Sequence, residues 1–185
     1  MNSRSIALVI AFLLVPVPVS ASTALALDLA ALARAADEIV VVEVVGLRAE
    51  PFPGGAIVTR VTALVERRVA GRTVIGEAID VIVPGGELDG LGMLVHGAPR
   101  LEPGGRYLLF LRRVSPEYQV VGLAQGAMPL RRSAATGEEV VTTPTNLPGL
   151  VREVRGRLEP ASPAVARPTP LEQVVVRIDE ARHGR

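Results

Sequence analysis

The stretch LEPGGRYLLFLRR, residues 101 to 113, indicates which fold class this chain adopts. It places a Pro-Gly-Gly triplet directly before an apolar run, and the same triplet recurs at residues 53 to 55 and 84 to 86. Proline presets φ and the next glycine takes the positive φ of a type II turn. A phosphate-binding loop would instead have to open onto a helix. Because the first and last triplets open onto strand-like sequence, we expect turns.

Outward from these turns, apolar and β-branched residues recur with a period of two, which is typical of strands. In the second strand, Val61, Ala63 and Val65 alternate with Arg60, Thr62 and Glu66, whereas residues 108 to 111 are apolar on both faces. A barrel wall covered by helices would explain such a run. The sequence predicts strands at residues 39 to 50, 56 to 69, 75 to 83, 106 to 113 and 117 to 124, with a short sixth at 127 to 132.

Helices are predicted on both sides of these strands. Asp28 is placed to cap a short helix that ends near Asp37. A helical apolar pattern occurs at Leu147, Leu150, Val151, Val154 and Leu158, and a proline-rich segment, 159 to 170, follows it. Thr169 as N-cap and Pro170 in the first turn then predict a final amphipathic helix. The predicted organisation is a barrel domain at 27 to 132, and a polar linker, proline-rich segment and helices at 133 to 185.

The N-terminus has the features of a signal peptide, predicted at residues 1 to 26. Arg4 precedes an apolar run from residue 6 to residue 19, and small residues follow it. The run is interrupted by prolines and is shorter than the roughly 20 residues of a membrane span, which disfavours an uncleaved anchor. We predict cleavage after Ala26, with Ala21 as the second choice. The expected location is secreted or periplasmic, with no membrane span after cleavage.

Composition narrows the class further. With 49% hydrophobic and 21% charged residues, the chain can bury a core. Outside the predicted signal, 19 basic residues balance 19 acidic ones, which gives no electrostatic footprint for nucleic acid. Lysine and cysteine are absent from the sequence, which excludes lysine Schiff bases, the P-loop lysine, disulfides and thiolate nucleophiles. We expect no cofactor.

A long glycine-rich segment, residues 85 to 100, carries the candidate site residues Glu87, Asp89 and His96. Unstructured loops of this length are often functional. As metal ligands the three are too few and lack a recognised spacing, and as an acid/base set they lack an evident nucleophile. The sequence favours a loop whose Leu88, Leu91, Met93 and Val95 fold back over one barrel mouth, with His96 partly exposed. If the loop binds a ligand, Glu87, Asp89 and His96 are the predicted contacts.

Two further motifs resemble a known family. Ala36-Asp37-Glu38-Ile39-Val40-Val41 joins a short helix to a Val-rich strand, and Gly105-Arg106-Tyr107-Leu108-Leu109-Phe110 forms a later strand. In this order they resemble netrin-type and metalloproteinase-inhibitor-type domains, a layout also found in secreted bacterial proteins. The resemblance covers residues 28 to 132 and implies a mainly β fold, a small five- to six-stranded, OB-like antiparallel barrel with flanking helices. In the inhibitor branch an N-terminal cysteine reaches the protease zinc, and this chain has no cysteine, so no functional residue carries over.

These observations lead to one functional hypothesis and two alternatives. We expect an exported, non-catalytic module that binds an envelope ligand or another exported protein. The first alternative is a secreted hydrolase that uses Glu87, Asp89 and His96. The second is a protease-inhibitor-like protein that acts through an edge without cysteine.

Overall fold

In the computed structural model, which describes residues 24–144, 150–154, 157–161 and 168–184, β-strands dominate. Most of the predicted signal peptide, residues 1 to 23, lies outside the described residues. The elements in chain order are β1 (Ala24–Leu25), α1 (Leu29–Ala35), β2 (Glu38–Phe52), β3 (Ala56–Ala70), β4 (Ala78–Pro84), β5 (Gly86–Leu88), β6 (Leu91–Met93), β7 (Arg106–Val114), β8 (Glu117–Val120), the 3₁₀ helix η1 (Leu123–Gly126), β9 (Ala127–Arg132), β10 (Glu139–Val141), β11 (Leu150–Val154), β12 (Arg157–Pro160), β13 (Thr169–Pro170) and α2 (Leu171–His183).

Eight of these strands form one large mixed sheet in the order β13-β10-β9-β7-β2-β3-β4-β8. β8 also pairs with β7, so that β7, β2, β3, β4 and β8 form a closed circuit of strand pairings. The prediction of a purely antiparallel arrangement is wrong at one position, because β4 and β8 pair in parallel through Val81 and Tyr118. Three strands intervene between β4 and β8 in the chain, which leaves ample length for a crossover.

The period-two pattern distributes apolar side chains between two buried clusters. Along β7, Leu109 and Leu111 enter the inner cluster, shared with β2, β3 and β4. Leu108 and Phe110 point to the opposite face, where the outer cluster contains apolar residues of α1 and α2. Since both faces of β7 are covered, its sequence is apolar at every position from 107 to 111. The packing of α1 and α2 on the outer face explains why residues 107 to 111 are apolar on both sides of the strand.

The Pro-Gly-Gly triplets at residues 53 to 55 and 103 to 105 lie at turns, as predicted, whereas the triplet at residues 84 to 86 lies where one strand passes into the next. Gly54 and Gly55 have φ of 82° and 79° and connect β2 to β3. Gly104 has φ of 74°, and the Gly105 amide donates to the Glu102 carbonyl at 2.9 Å, which closes the turn before β7. Gly85, with φ of 95°, separates β4 from β5. The positive φ values explain why glycine is used at these positions.

The predicted N-cap is confirmed for α1 and is wrong for α2. Asp28 caps α1, because its Oδ1 accepts a hydrogen bond from the Ala31 amide at 2.7 Å, which confirms the prediction. Thr169 is not the N-cap of α2. Thr169 and Pro170 instead form β13, which pairs with Val141 and Val140 of β10, so the helix begins one residue later than predicted. The extended backbone needed for strand pairing takes the place of the cap.

Several predicted boundaries also change. The helical pattern between Leu147 and Leu158 is wrong for the described residues, because residues 150–154 and 157–160 form the antiparallel pair β11 and β12. Leu147 itself lies outside the described residues. The predicted strand at 117 to 124 ends at Val120, and the predicted linker contains β10. A short apolar segment fits helix and strand templates equally well.

Within the described residues, neither helix combines the length and the apolar character that a membrane-crossing helix needs. α2 is 13 residues long and carries charged side chains on one face. Its Arg182 guanidinium donates to the Ala33 and Ala36 carbonyls at 2.8 and 2.9 Å. These bonds satisfy carbonyl groups at the end of α1 and hold the two helices together.

Candidate functional site

A cleft of about 670 Å³ lies at one end of the inner apolar cluster. One wall consists of Met93, the last residue of β6, and the segment that follows it, residues 94 to 100. The other walls come from β3, β4, β7, β9 and the chain after β10. Most of the lining is apolar. The described residues that line it are Thr59, Val83, Pro84, Gly85, Gly86, Met93, Leu94, Val95, His96, Gly97, Ala98, Pro99, Arg100, Tyr107, Ala124, Ala127, Pro129, Thr142 and Pro144.

A short hairpin positions the start of the cleft wall. β5 and β6 are joined by Asp89 and Gly90, which have φ of 50° and 78°. Two consecutive positive φ values in a two-residue connection define a type I′ turn, for which Asp-Gly is a preferred sequence. The predicted loop at residues 85 to 100 therefore contains regular structure. The turn conformation accounts for the use of Asp at position 89.

Contacts with β3 hold this hairpin in place. The Thr59 hydroxyl donates to the Gly85 carbonyl at 2.8 Å, and the Ile57 amide donates to the Met93 sulfur at 3.5 Å. A Cβ atom at Gly86 would lie 2.7 Å from the Thr59 Oγ1, so the close approach requires glycine. The base of the cleft wall is thus fixed to the sheet by side-chain and main-chain contacts.

His96 and Arg100 are the basic side chains in the described cleft lining. The Gly97 carbonyl accepts from the Ala124 amide at 2.9 Å, which ties the His96-Gly97 turn to η1. Both side chains are exposed, and neither has a side-chain partner within the described part of the chain. No Asp or Glu belongs to the described lining. The cleft therefore combines an apolar surface with an imidazole and a guanidinium that are available to a ligand.

The structure separates the three residues that the sequence singled out. His96 lines the cleft, whereas Glu87 in β5 and Asp89 in the hairpin turn do not. All three are exposed. In the described ranges, His, Cys, Asp and Glu side chains form no group of three or more suited to a metal ion. Leu91 is 70% exposed, so the prediction that it folds back over the strands is wrong.

Arg100 and Tyr107 are cleft residues that the sequence did not reveal. Tyr107 begins the apolar run of β7, and its hydroxyl accepts from the Glu102 amide at 3.1 Å. Arg100 follows the glycine-rich segment and has no local motif. The Asp89-Gly90 dipeptide was the available signal, since it predicts a hairpin that turns residues 91 to 100 back toward the strands.

A second polar cluster lies at the other end of the same strands and is termed the Glu38 cluster: Glu38, Arg72, Thr73 and Arg113. Glu38 is 2% exposed. Its Oε2 accepts from the Arg72 amide at 2.6 Å, the Thr73 amide at 3.0 Å and the Thr73 hydroxyl at 3.2 Å. Its Oε1 accepts from the Arg113 guanidinium at 3.0 Å. The carboxylate is thus fully engaged within the protein.

The surroundings of Glu38 shift its pKa. Burial alone would raise the pKa, but the hydrogen bonds from Thr73, Arg72 and Arg113 outweigh it and hold the pKa below the ordinary value of 4.5. Gly71, with φ of 104°, completes the cluster, because a Cβ atom there would lie 2.0 Å from Glu38 Oε2. Only glycine leaves room for the carboxylate. The Glu38 cluster connects the start of β2 to the loop after β3.

Other carboxylates are held by arginines that bridge strands. Arg60 contacts Glu50 at 2.6 Å, Glu117 at 2.8 Å and Asp80 at 3.3 Å. Hydrogen bonds with Glu50 raise the pKa of Arg60, and the same interaction lowers the pKa of Glu50. These ion pairs connect different strands, so the three carboxylates already have partners within the protein.

A similar network surrounds Arg106 on β7. Its guanidinium contacts Glu66 and Glu139, each at 2.6 Å. The hydrogen bonds with Glu66 raise the pKa of Arg106 despite partial burial. The network connects β3, β7 and β10. Like the Arg60 network, it pairs charged side chains of different strands with one another.

Comparison with protein-family models, with curated proteins and with solved structures found no match to this chain. The chemical groups of the cleft and of the Glu38 cluster are therefore the basis for a functional hypothesis. In the cleft, polar groups are left available. In the Glu38 cluster and the arginine networks, they are engaged by the protein itself.

Proposed function

We propose that β7, β2, β3, β4 and β8 form a partly open OB-like barrel, related in layout to netrin-type domains. The closed circuit of pairings supports this, and within it β8 runs parallel to β4 and antiparallel to β7. The inner apolar cluster would then be the barrel interior. OB-like barrels are binding scaffolds whose ligands contact one sheet face and the neighbouring loops.

We infer that the protein is an exported, non-catalytic binding module, secreted or periplasmic, whose cleft holds a segment of another exported protein. The observation that carries this proposal is the 670 Å³ cleft itself, which continues the inner apolar cluster outward to solvent. Concave apolar surfaces with a few placed polar groups are the usual form of a binding site. The signal-like N-terminus supports export.

The polar groups of the cleft define the chemistry of the segment that it binds. Arg100 supplies a guanidinium, and no described carboxylate in the lining pairs with it. A carboxylate on the ligand would fill that role, with His96 as an additional hydrogen-bonding group. The preferred ligand is thus a segment with apolar side chains and one acidic group.

The cleft mouth favours a protein partner. Leu94 lines the cleft and is 73% exposed, and Leu91 on the preceding strand is 70% exposed. Large aliphatic side chains presented to solvent beside a groove are typical of protein interaction surfaces. A partner that covers both would bury apolar area that the free protein leaves in water.

The hydrolase alternative gains no specific support from the positions of its residues. It requires Glu87, Asp89 and His96 to act on one substrate, and only His96 faces the cleft. The carboxylates of Glu50, Asp80 and Glu117, which lie elsewhere on the strands, are bonded to Arg60. We therefore place the binding module first.

Site-specific crosslinking tests the proposal. A photoreactive benzoylphenylalanine in place of Leu94 should capture one defined partner in an exported fraction, and mass spectrometry should map the crosslink to an apolar segment with an acidic residue. The same group in place of Val176, which is 57% exposed on α2, is the matched control and should not capture that partner. The Arg100→Gln variant should reduce the yield from position 94 severalfold.

Two results would count against a cleft-binding module. Positions 94 and 176 could give the same products, which would show non-specific contact. Alternatively, the yield from position 94 could be unchanged in Arg100→Gln, which would separate the captured partner from the charge of the cleft. Circular dichroism of each variant verifies that the fold is retained in these comparisons.

A further inference from the structure

A buried glutamine binds the chain close to the predicted signal-peptide cleavage site. Gln125, in η1, is 6% exposed. Its Oε1 accepts from the Leu27 amide at 2.8 Å, and its Nε2 donates to the Leu25 carbonyl at 3.0 Å and to the Gly122 carbonyl at 3.1 Å. Both amide hydrogens of the side chain thus have acceptors, one of which belongs to Leu25.

The same short segment makes two further kinds of contact. The Ala26 amide donates to the Val151 carbonyl at 2.7 Å, next to the parallel pairing of β1 with β11. Leu27 packs against the outer apolar cluster. Its Cδ1 would lie 2.8 Å from a Cβ atom at Gly122, so this packing depends on glycine there. Residues 24 to 27 are therefore part of the folded domain.

Cleavage after Ala26 would remove half of these contacts. Hydrolysis adds water across the Ala26-Leu27 peptide bond, so that Ala26 leaves with a carboxylate and Leu27 retains an ammonium group. The leaving fragment takes with it the Leu25 carbonyl and the Ala26 amide. One Nε2 hydrogen of buried Gln125 then loses its acceptor, which is unfavourable in a site with little access to water.

We infer that the signal sequence is removed after Ala21, so that the mature chain begins at Ser22 and retains residues 24 to 27 as a structural element. Ala21 supplies the small residue that a signal peptidase requires at the cleaved position. This choice leaves every contact of Gln125, Ala26 and Leu27 intact. The inference rests on the proposed export of the protein.

Analysis of the exported product tests this directly. The full chain with a C-terminal tag is expressed in a bacterial host with a periplasm, and the exported protein is analysed by intact mass and N-terminal sequencing. We expect Ser22 as the first residue. A first residue of Leu27 overturns this inference and leaves export standing, whereas an intact chain that stays in the cytoplasm overturns the export proposal and this inference with it.

Two substitutions sharpen the processing test. Ala21→Phe places a large side chain at the cleaved position and should cause the unprocessed precursor to accumulate. Ala26→Phe is the matched control and should leave the first residue at Ser22. Both readouts are masses, so they hold whether or not a variant folds. The reverse pattern, in which only Ala26→Phe blocks processing, contradicts the inference.

A stability measurement tests the physical reason. Two proteins made in the cytoplasm, one beginning at Ser22 and one at Leu27, each after an initiating Met, are compared by thermal unfolding. The shorter protein should unfold at a midpoint lower by about 3 °C or more. The Gln125→Ala substitution should lower the midpoint further in the longer protein than in the shorter one. Equal midpoints for the two parent proteins would overturn the structural role of residues 24 to 27.

Discussion

The two ends of the central strands treat polar groups in opposite ways. At the start of β2, Glu38 is buried and accepts four hydrogen bonds from Arg72, Thr73 and Arg113. Toward the other end of β3 and the start of β7, the cleft is lined mainly by apolar groups and leaves His96 and Arg100 without a described side-chain partner. One end is saturated internally, and the other offers its polar groups to solvent.

This difference separates stability from binding within one domain. A buried carboxylate with all its partners stabilises the strand junction and is costly to remove. An exposed guanidinium beside an apolar cleft adds little to stability and can be used in recognition. Substitutions at the Glu38 cluster should therefore change the free energy of unfolding, and substitutions in the cleft should change ligand binding.

The largest effect is expected for Glu38→Ala. This substitution leaves the buried Thr73 amide and the partly buried Arg72 amide without an acceptor, and should lower the free energy of unfolding by about 3 kcal/mol. Urea denaturation measures this. Glu87→Ala, at an exposed position of β5, is the control and should change the same quantity by less than about 0.5 kcal/mol. Equal losses for the two variants would show that the two ends do not differ as described.

Acid should weaken the Glu38 cluster. Because the pKa of Glu38 is lower in the folded state than the ordinary 4.5, the unfolded state binds the proton more tightly. The stabilisation by this carboxylate is therefore complete above pH 4.5 and is lost as the pH falls through the folded-state pKa. The stability advantage of the wild type over Glu38→Gln should be largest near pH 7 and should shrink below pH 4.5. A pH-independent difference in urea denaturation would contradict the assignment.

Loss of the Thr59 hydroxyl should have a smaller effect, at the cleft end. Thr59→Val removes the hydrogen bond to the Gly85 carbonyl and should cost about 1 kcal/mol of unfolding free energy. It should also weaken partner capture, since this bond anchors the cleft wall. Thr62→Val is the matched control, because its hydroxyl bonds Asp80 at 3.0 Å, outside the cleft lining. Thr62→Val should cost a similar free energy of unfolding and leave partner capture unchanged. If capture falls in both variants, the Thr59 hydrogen bond has no specific role in binding.

The strands were predictable where they are long and have a glycine turn at one end. The ends of β2, β3 and β7 match the predicted ranges within a few residues. β11 and β12 were not predicted as strands, because the spacing of Leu150, Val151 and Val154 fits a helix as well as a strand. The parallel pairing of β4 with β8 depends on contacts between distant segments, which a local pattern does not encode.

Less of the site could be predicted from sequence. His96 was found because it stands in a long glycine-rich segment, but the cleft also needs Thr59, Arg100 and Tyr107, which come from different parts of the chain. Glu38 was noticed only as part of a strand-entry motif. Its burial depends on Arg72 and Thr73, more than 30 residues away, and on the space that Gly71 leaves.

The smallest change in stability is expected for the polar residues of the cleft. His96→Ala and Arg100→Gln should each alter the free energy of unfolding by less than about 0.5 kcal/mol, because both side chains are exposed and have no described side-chain partner to lose. Arg112→Gln, on the exposed end of β7, is the control for loss of a positive charge. Urea denaturation should rank all three variants as equal, whereas capture from position 94 should fall only in the cleft variants. A stability loss above about 1 kcal/mol for Arg100→Gln would mean that the guanidinium is engaged in the fold, and the contrast between the two ends would then fail.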